Sequence, residues 1–344
     1  MNANELNNGL ALVTSYFGEQ FPKYIKKNLK VINRDFKNCK KFFLSDNESS
    51  LKIAKRIGWE TIQVDLEEEV GELSSLLLHD ARFRYGYWFK VIGRILVLNK
   101  VIEKGFSILQ IEADVRLFQN FPFEKVYGTS NGIAYTLHTK ATGSAAVLFL
   151  KEMSDFDFLK EQFLEEFRLN GLTNDMEILG KIWRNYPEKI TVLPTISNCG
   201  HQANSEIGEN YFSDAIQKYP HFGGVFDDLS YGLFLFGIDP RNNKGRRVLF
   251  KANNGQLVTP KNITLRYFKG RLFVKCEACH YEFFLFNLHV HSKNPKIFSR
   301  MQLTRVLNKT NRLDKSRERT EFTTNVVSRK LKGIRDSIIR NLKH

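Results

Sequence analysis

GFSILQIEADVRLF, residues 105–118, is the stretch from which the rest of the chain can be read. Residues 106–111 are a short apolar run, Phe-Ser-Ile-Leu-Gln-Ile. Residues 91–103 before it carry the spacing of a helix, and Gly105 supplies the stop. A helix followed at once by a short apolar strand is the grammar of a parallel sheet. The strand ends on two carboxylates, Glu112 and Asp114. Ligands of open α/β sheets bind outside the carboxyl ends of strands. Carboxylate oxygens placed there are hard donors, suited to Mg²⁺ or Mn²⁺ carrying a phosphate.

Upstream, the same alternation repeats. Residues 10–17 read as a first strand, 22–32 as a helix, 40–44 as a second strand stopped at Ser45-Asp46-Asn47. Residues 51–57 read as a helix, 61–64 as a third strand, and 70–79 and 88–104 as helices. The expected fold is therefore α/β, a mainly parallel sheet flanked by helices. Downstream the texture changes. Residues 125–128 and 132–137 read as strands, 144–153 and 156–167 as helices. Residues 173–185 read as a helix capped by Thr173 or Asn174, with Asp175 and Glu177 in its first turn. Residues 190–193 read as a strand, 197–222 as irregular, and 225–245 as an ordered loop over a site, holding Asp227 and Asp228. A hairpin is expected over 263–275 around Lys269-Gly270. A strand over 281–290 then runs into His289-Val290-His291-Ser292-Lys293.

The chain has 344 residues, 42% hydrophobic and 26% charged, as a globular protein has. MNANELNNGL lacks the basic start and apolar run of a signal peptide, so none is expected. No run approaches the ~18 apolar residues of a membrane-crossing helix. Four cysteines make no disulfide framework, and a cytoplasmic setting is expected. The formal charge of +15 implies an anionic partner. From residue 297 to 344 there are 13 Lys and Arg against 4 Asp and Glu, so +9 of the +15 lies there and +6 in the rest. The chain is accordingly divided into a body, 1–296, and a basic helical tail, 297–344. In the tail, Phe322, Val326, Val327, Leu331, Ile334, Ile338, Ile339 and Leu342 form an apolar stripe among basic residues. Such a helix lies on an anionic membrane surface or docks on its own body. A nucleic-acid partner calls for cations spread among exposed aromatics over a face, and the concentration in the tail argues against one.

His289 and His291 alternate on the expected strand, so both point to one face, with Lys293 beyond them. Imidazole can complete a Mn²⁺ shell, and lysine can neutralise phosphate. Cys276-Glu-Ala-Cys279-His280 matches a haem-attachment pattern and half of a zinc site, but no second cysteine pair follows. Asp175 reads as a capping carboxylate, as a catalytic base or as a ligand of a sugar hydroxyl. No Walker loop, dinucleotide fingerprint or serine nucleophile elbow is present.

Taken in order, these motifs resemble nucleotide-sugar glycosyltransferases of the GT-A type. KVIGRILVLNKVIEKGFSILQIEADVRLF resembles the segment that ends in the Asp-x-Asp metal motif, with Glu112 in place of the first Asp. Asn174-Asp175-Met176 resembles the acidic helix start that faces sugar or acceptor. LHVHSKN, residues 288–294, resembles the late histidine motif of glycogenin-type enzymes, without the Lys-Pro-Trp ending. LFLFGIDPRN, residues 233–242, is similar to a segment of bacterial and phage glycosyltransferases. The resemblance spans residues 10 to 298. It implies a GT-A-like fold and transfer of a sugar from a nucleotide-diphosphate sugar, a UDP-sugar first of all, to a hydroxyl of a glycan or lipid-linked acceptor. It implies Mn²⁺ or Mg²⁺ held by Asp114 and His291 with Glu112 or His289. Thr14, Tyr16 and Asp46 would hold the nucleoside, Lys293 the diphosphate, with Lys90 a further donor-binding residue, and Asp175 or Asp227 would act as base for an inverting reaction. A nucleic-acid-binding protein and a metal-dependent nucleotidyltransferase are the alternatives.

Overall fold

The computed structural model describes residues 9–71, 87–129, 132–170, 174–204, 209–237, 256–260, 263–299, 302–305 and 307. The chain opens with strand β1 (Leu10–Ser15), helix α1 (Lys23–Asp35), β2 (Lys40–Ser45), α2 (Glu48–Ile57), β3 (Glu60–Gln63) and a short α3 (Leu66–Val70). Helices α4 (Tyr87–Leu96) and α5 (Asn99–Ile102) lead into β4 (Ser107–Ile111) and β5 (Val115–Leu117). Then come α6 (Phe123–Thr129), β6 (Ile133–Leu137), β7 (Gly143–Leu150), α7 (Met153–Asn170), α8 (Asp175–Asn185) and β8 (Ile190–Val192). Helices α9 (Glu209–Gln217) and α10 (Tyr219–Phe222) precede β9 (Gly224–Val225) and α11 (Ser230–Phe236). The last strands are β10 (Ile263–Phe268), β11 (Arg271–Cys276), β12 (Glu282–Leu285) and β13 (Asn287–His289).

Seven strands form the main sheet in the order β3-β2-β1-β4-β7-β6-β8. Four of its six pairings are parallel, and the two antiparallel ones both involve β7. The expected mainly parallel α/β sandwich is thus the observed one. Every residue of β1, β4 and β7 is buried, as strands covered on both faces must be. Their side chains alternate between two cores. Ala11, Val13 and Ile108 join one, and Leu10, Leu12, Leu109 and Ile111 the other. The α2 helix is capped at its start by Asn47, which accepts from the Ser50 amide, and closed by Gly58 at φ 97.

A smaller sheet, β10-β11-β12-β9, contains the expected hairpin, with Lys269 and Gly270 both at positive φ in its turn. A third, two-stranded sheet pairs β13 with β5. The chain passes between the last two at Phe286, whose amide donates to the Val225 carbonyl. The expected strand over 281–290 is therefore two strands serving two sheets.

Other local expectations are corrected. Residues 144–153 are mostly strand β7, not helix. Gly-Ser-Ala-Ala-Val-Leu-Phe-Leu is apolar on both faces, so it carries no period by which to choose. Residues 125–128 are helical, within α6. Residues 88–104 are two helices, and residues 197–222 contain α9 and α10. The core also runs past residue 296, since Ile297, Phe298, Leu303 and Leu307 are buried in it. The tail stripe from Phe322 to Leu342, most of the expected 70–79 helix and residues 238–245 lie outside the described residues.

Candidate active site

The chain leaves β1 toward β2 and β3 on one side, while β4 joins β1 from the other. Loops from two adjacent parallel strands diverge at such a point and leave a crevice. A cleft of about 620 Å³ lies there. Ser15, Tyr16, Phe17 and Gly18 line it from the end of β1, and Gln110, Glu112, Ala113 and Asp114 from the end of β4. Helix α1 contributes Tyr24, helix α4 contributes Tyr87, Lys90, Val91 and Arg94, and the turn after β13 contributes Ser292 and Lys293.

Strand β13 brings the distant histidine to this point. His289 lies opposite Val115 in the pairing with β5, and the Val290 amide donates to the Asp114 carbonyl at 2.9 Å. His289 Nε2 then stands 3.4 Å from Glu112 Oε2 and 3.4 Å from Asp114 Oδ1. Ligand atoms of these three residues all lie within 4.8 Å of one another. Lys293, at φ 52 in the following turn, places Nζ 2.6 Å from Asp114 Oδ2. Arg94 reaches from α4 to Glu112 Oε1 at 2.9 Å and to Asp175 Oδ2 at 2.7 Å. Three carboxylates and three cationic or protonatable groups thus close a buried network.

Its titration follows. Burial opposes ionisation of Asp114, but Lys293 and His289 together hold its pKa well below the usual carboxylate range. Burial likewise opposes charging of His289, yet Asp114 and Glu112 push its pKa up to about 9. Asp175 is raised by burial in spite of Arg94.

The remaining expected site residues fall into place unevenly. Tyr16, Lys90 and Lys293 line the cleft. Thr14 does not, since its hydroxyl donates to the Ile111 carbonyl inside the sheet. Asp46 is exposed beyond the end of β2 and is not among the lining residues. Strand β13 stops at His289, so His291 stands in the turn, its ring centroid 6.0 Å from that of His289 and outside the three-residue cluster. Asp175 is 4% exposed and serves as the second anion of Arg94. Asp227 is fully buried. Its Oδ1 accepts from the amides of Leu229 and Tyr231, and its Oδ2 from those of Gly232 and His289. A carboxylate so engaged fixes backbone and is not free to take an acceptor's proton. It fixes the backbone of His289 in particular.

Arg94, Gln110 and Tyr24 were not singled out from sequence. For Arg94 a signal existed. It lies four residues after Lys90 in an otherwise apolar helix, and spacing of four puts both on one face.

Among the described residues, several buried polar atoms without a hydrogen-bond partner belong to the cleft. They are both ends of the Gln110 amide, the Ser15 and Ser292 hydroxyls, and Arg94 Nε. Each such atom costs ~1–3 kcal/mol if left so. Gathered in one crevice, they point to a polar ligand. Two carboxylates and an imidazole facing one another form a hard, mixed oxygen–nitrogen donor set that fits Mn²⁺ or Mg²⁺.

No family model matches the chain, and no curated protein does. Among solved structures it is similar to mouse xyloside xylosyltransferase 1 in its apo form, at 13% identity and a TM-score of 0.38, over 60% of this chain and 93% of that one. It is also similar to the PaToxG glycosyltransferase, at 11% identity and a TM-score of 0.29, over 54% of this chain and 74% of that one. At such scores the reading of the cleft rests on its own geometry.

Proposed function

We propose that the protein is a metal-dependent glycosyltransferase of GT-A-like type. It would move a sugar from a nucleotide-diphosphate sugar, a UDP-sugar first of all, to a hydroxyl of a glycan or lipid-linked acceptor. The observation that carries this is the convergence of Glu112, Asp114 and His289 with Lys293 at the carboxyl ends of β1 and β4, beside unpartnered polar atoms. Glu112, Asp114 and His289 would hold Mn²⁺ or Mg²⁺. When bound, that ion neutralises the diphosphate and the charge left as the sugar–phosphate bond breaks. Lys293 has its ammonium on Asp114 and over the Tyr24 ring, 5.5 Å from the centroid. It can exchange Asp114 for a phosphate oxygen. Lys90 offers a further cation, and Tyr16 and Tyr24 offer aromatic faces to a base. Arg94 orients Glu112, and Asp175 holds Arg94.

The test is release of UDP from a panel of nucleotide-sugars with Mn²⁺, by wild type and by Asp114→Asn. We expect turnover in the wild type and a loss of roughly 10²-fold or more in the variant, the scale of one lost electrostatic stabiliser. Pyrophosphate in place of UDP would make the protein a nucleotidyltransferase, and unchanged turnover by Asp114→Asn would remove the metal assignment. The same proposal puts lipid-linked acceptors at an anionic membrane surface met by the basic tail. Vesicle sedimentation indifferent to truncation after Arg319 would delete that part. No helix among the described residues is long and apolar enough to cross a membrane.

A further inference from the structure

A second cluster of metal-ligating side chains lies outside the cleft. Cys276 closes β11, and Cys279 sits in the turn before β12. The Cys276 amide donates to the Tyr281 carbonyl at 2.9 Å, and His280 takes a left-handed φ of 56°. This folds the Cys-x-x-Cys segment into a tight knuckle with both thiols on one side. Sequence offered no further cysteine pair to complete a zinc site. The fold instead delivers a single cysteine from far away. Cys199, in the loop after β8, brings its sulfur to the pair, and all three sulfurs lie within 4.8 Å of one another. None is in a disulfide. Sulfurs on a tetrahedral zinc with bonds of ~2.3 Å stand ~3.8 Å apart, so a small inward movement suffices.

Neighbouring side chains position Cys199, whose thiol donates to Gln202 Oε1 at 3.2 Å. The Ser197 hydroxyl lies 3.5 Å from its sulfur, and the Gln202 amide, which donates to Ser197 Oγ at 2.6 Å, orients that hydroxyl. Hydrogen bonds of this kind to a ligating sulfur fix and tune it. The loop is itself fastened, since Ala203 bridges to Val258. We propose that Cys199, Cys276 and Cys279 bind one zinc ion, with the fourth position toward solvent, where Cys279 is exposed. Thiolates are soft and carboxylates hard, so this site and the cleft take different metals. The zinc clips the loop after β8 to the β11–β12 hairpin. From that hairpin the chain runs through Phe286 into β13 and His289. The proposal does not depend on the function proposed for the cleft.

The experiment uses the full chain, purified with reductant and without chelator, loaded with zinc and desalted. Elemental analysis should find about one zinc per chain, removable by a strong chelator, with a fall in melting temperature on removal. Zinc should protect the three thiols from alkylation, and Co²⁺ in its place should give thiolate charge-transfer absorption. The Cys276→Ser/Cys279→Ser pair should lose the zinc, while Asp114→Asn should keep it. Should the cysteine variant fail to fold, the alkylation and Co²⁺ measurements on the wild type still decide. No retained zinc in the loaded wild type, or zinc retained by the double variant, would overturn the proposal.

Discussion

Arg94→Met is the sharpest probe of how the cleft is assembled. The Arg94 side chain is 15% exposed and bridges the side chain of Glu112, 16% exposed, to the buried carboxylate of Asp175. Methionine keeps most of the side-chain bulk, so packing changes little, but two mostly buried carboxylates lose their cation. Removing one partner of a buried ion pair costs ~3–5 kcal/mol. Partial hydration of Glu112 places the expectation near the lower end, about 3 kcal/mol, which is roughly 150-fold in the folded-to-unfolded ratio. The pH dependence separates charge from packing. Asp175 is already raised by burial with Arg94 present and rises further without it. A carboxyl with a folded pKa above its unfolded value binds more protons in the folded state. Stability therefore falls as pH rises above the unfolded value of ~4. The deficit of Arg94→Met should be largest at pH 7.5 and shrink toward pH 5.5, by urea unfolding followed at both. Adding Asp175→Asn should recover part of it. A deficit equal at both pH values, with no recovery in the double variant, would mean that Arg94 contributes only packing.

The other consequences concern His289. His289→Ala should weaken Mn²⁺ binding roughly 100-fold or more in calorimetry, while His291→Ala, one turn position away, should change it little; the reverse order would move the ligand to His291. Because Asp114 and Glu112 hold the metal-free imidazole protonated up to about pH 9, Mn²⁺ must displace a proton. Affinity should rise about tenfold per pH unit between pH 7 and 8, with about one proton released in buffers of different ionisation enthalpy. Gly232→Ala would set a methyl 1.7 Å from the His289 carbonyl oxygen and 3.1 Å from Asp227 Oδ2. Overpacking of that kind costs ~1–3 kcal/mol or more, and the variant should lose both stability in urea and Mn²⁺ affinity.

What could be read from the chain, and what could not, divides along a physical line. The β4 strand with Glu112 and Asp114 was legible because its signals are local, a stop glycine, an apolar run and polar residues at its end. The helix start at Thr173 or Asn174 was legible for the same reason, and Asn174 is the cap. The choice between His289 and His291 was not, because period-2 alternation puts both on one face for as long as the strand continues. It ends at His289 because the chain turns, the Lys293 amide donating to the Val290 carbonyl at 2.7 Å with Lys293 at φ 52, and no local signal marks that turn. Asp227 read as a base because an acidic residue in a Gly-rich loop looks the same whether it faces water or four backbone amides. Cys199 carried no signal of its own, since the pairing that gives it meaning exists only after the loop and the hairpin meet.

The network also dictates how the proposed donor and ion should bind together. Asp114 already has a cation, Lys293 at 2.6 Å, and Glu112 already has Arg94. An ion arriving alone must share Asp114 with Lys293, expel the His289 proton and place two positive charges beside two others. Binding of Mn²⁺ alone should therefore be weak. A diphosphate brings new anionic oxygens for Lys293 to move to, which relieves that repulsion. Each partner thus improves the site for the other, and the coupling must be reciprocal. We expect saturating UDP to tighten Mn²⁺ binding by 5- to 150-fold, the usual span of such couplings, and Mn²⁺ to tighten UDP by the same factor. In Lys293→Met the ion should bind better alone, because its competitor for Asp114 is gone, and the factor should collapse toward one. Titrating Mn²⁺ with and without UDP in both proteins decides the matter. Independent binding in the wild type, or full coupling in Lys293→Met, would show that Lys293 stays on Asp114 and that the diphosphate is neutralised elsewhere.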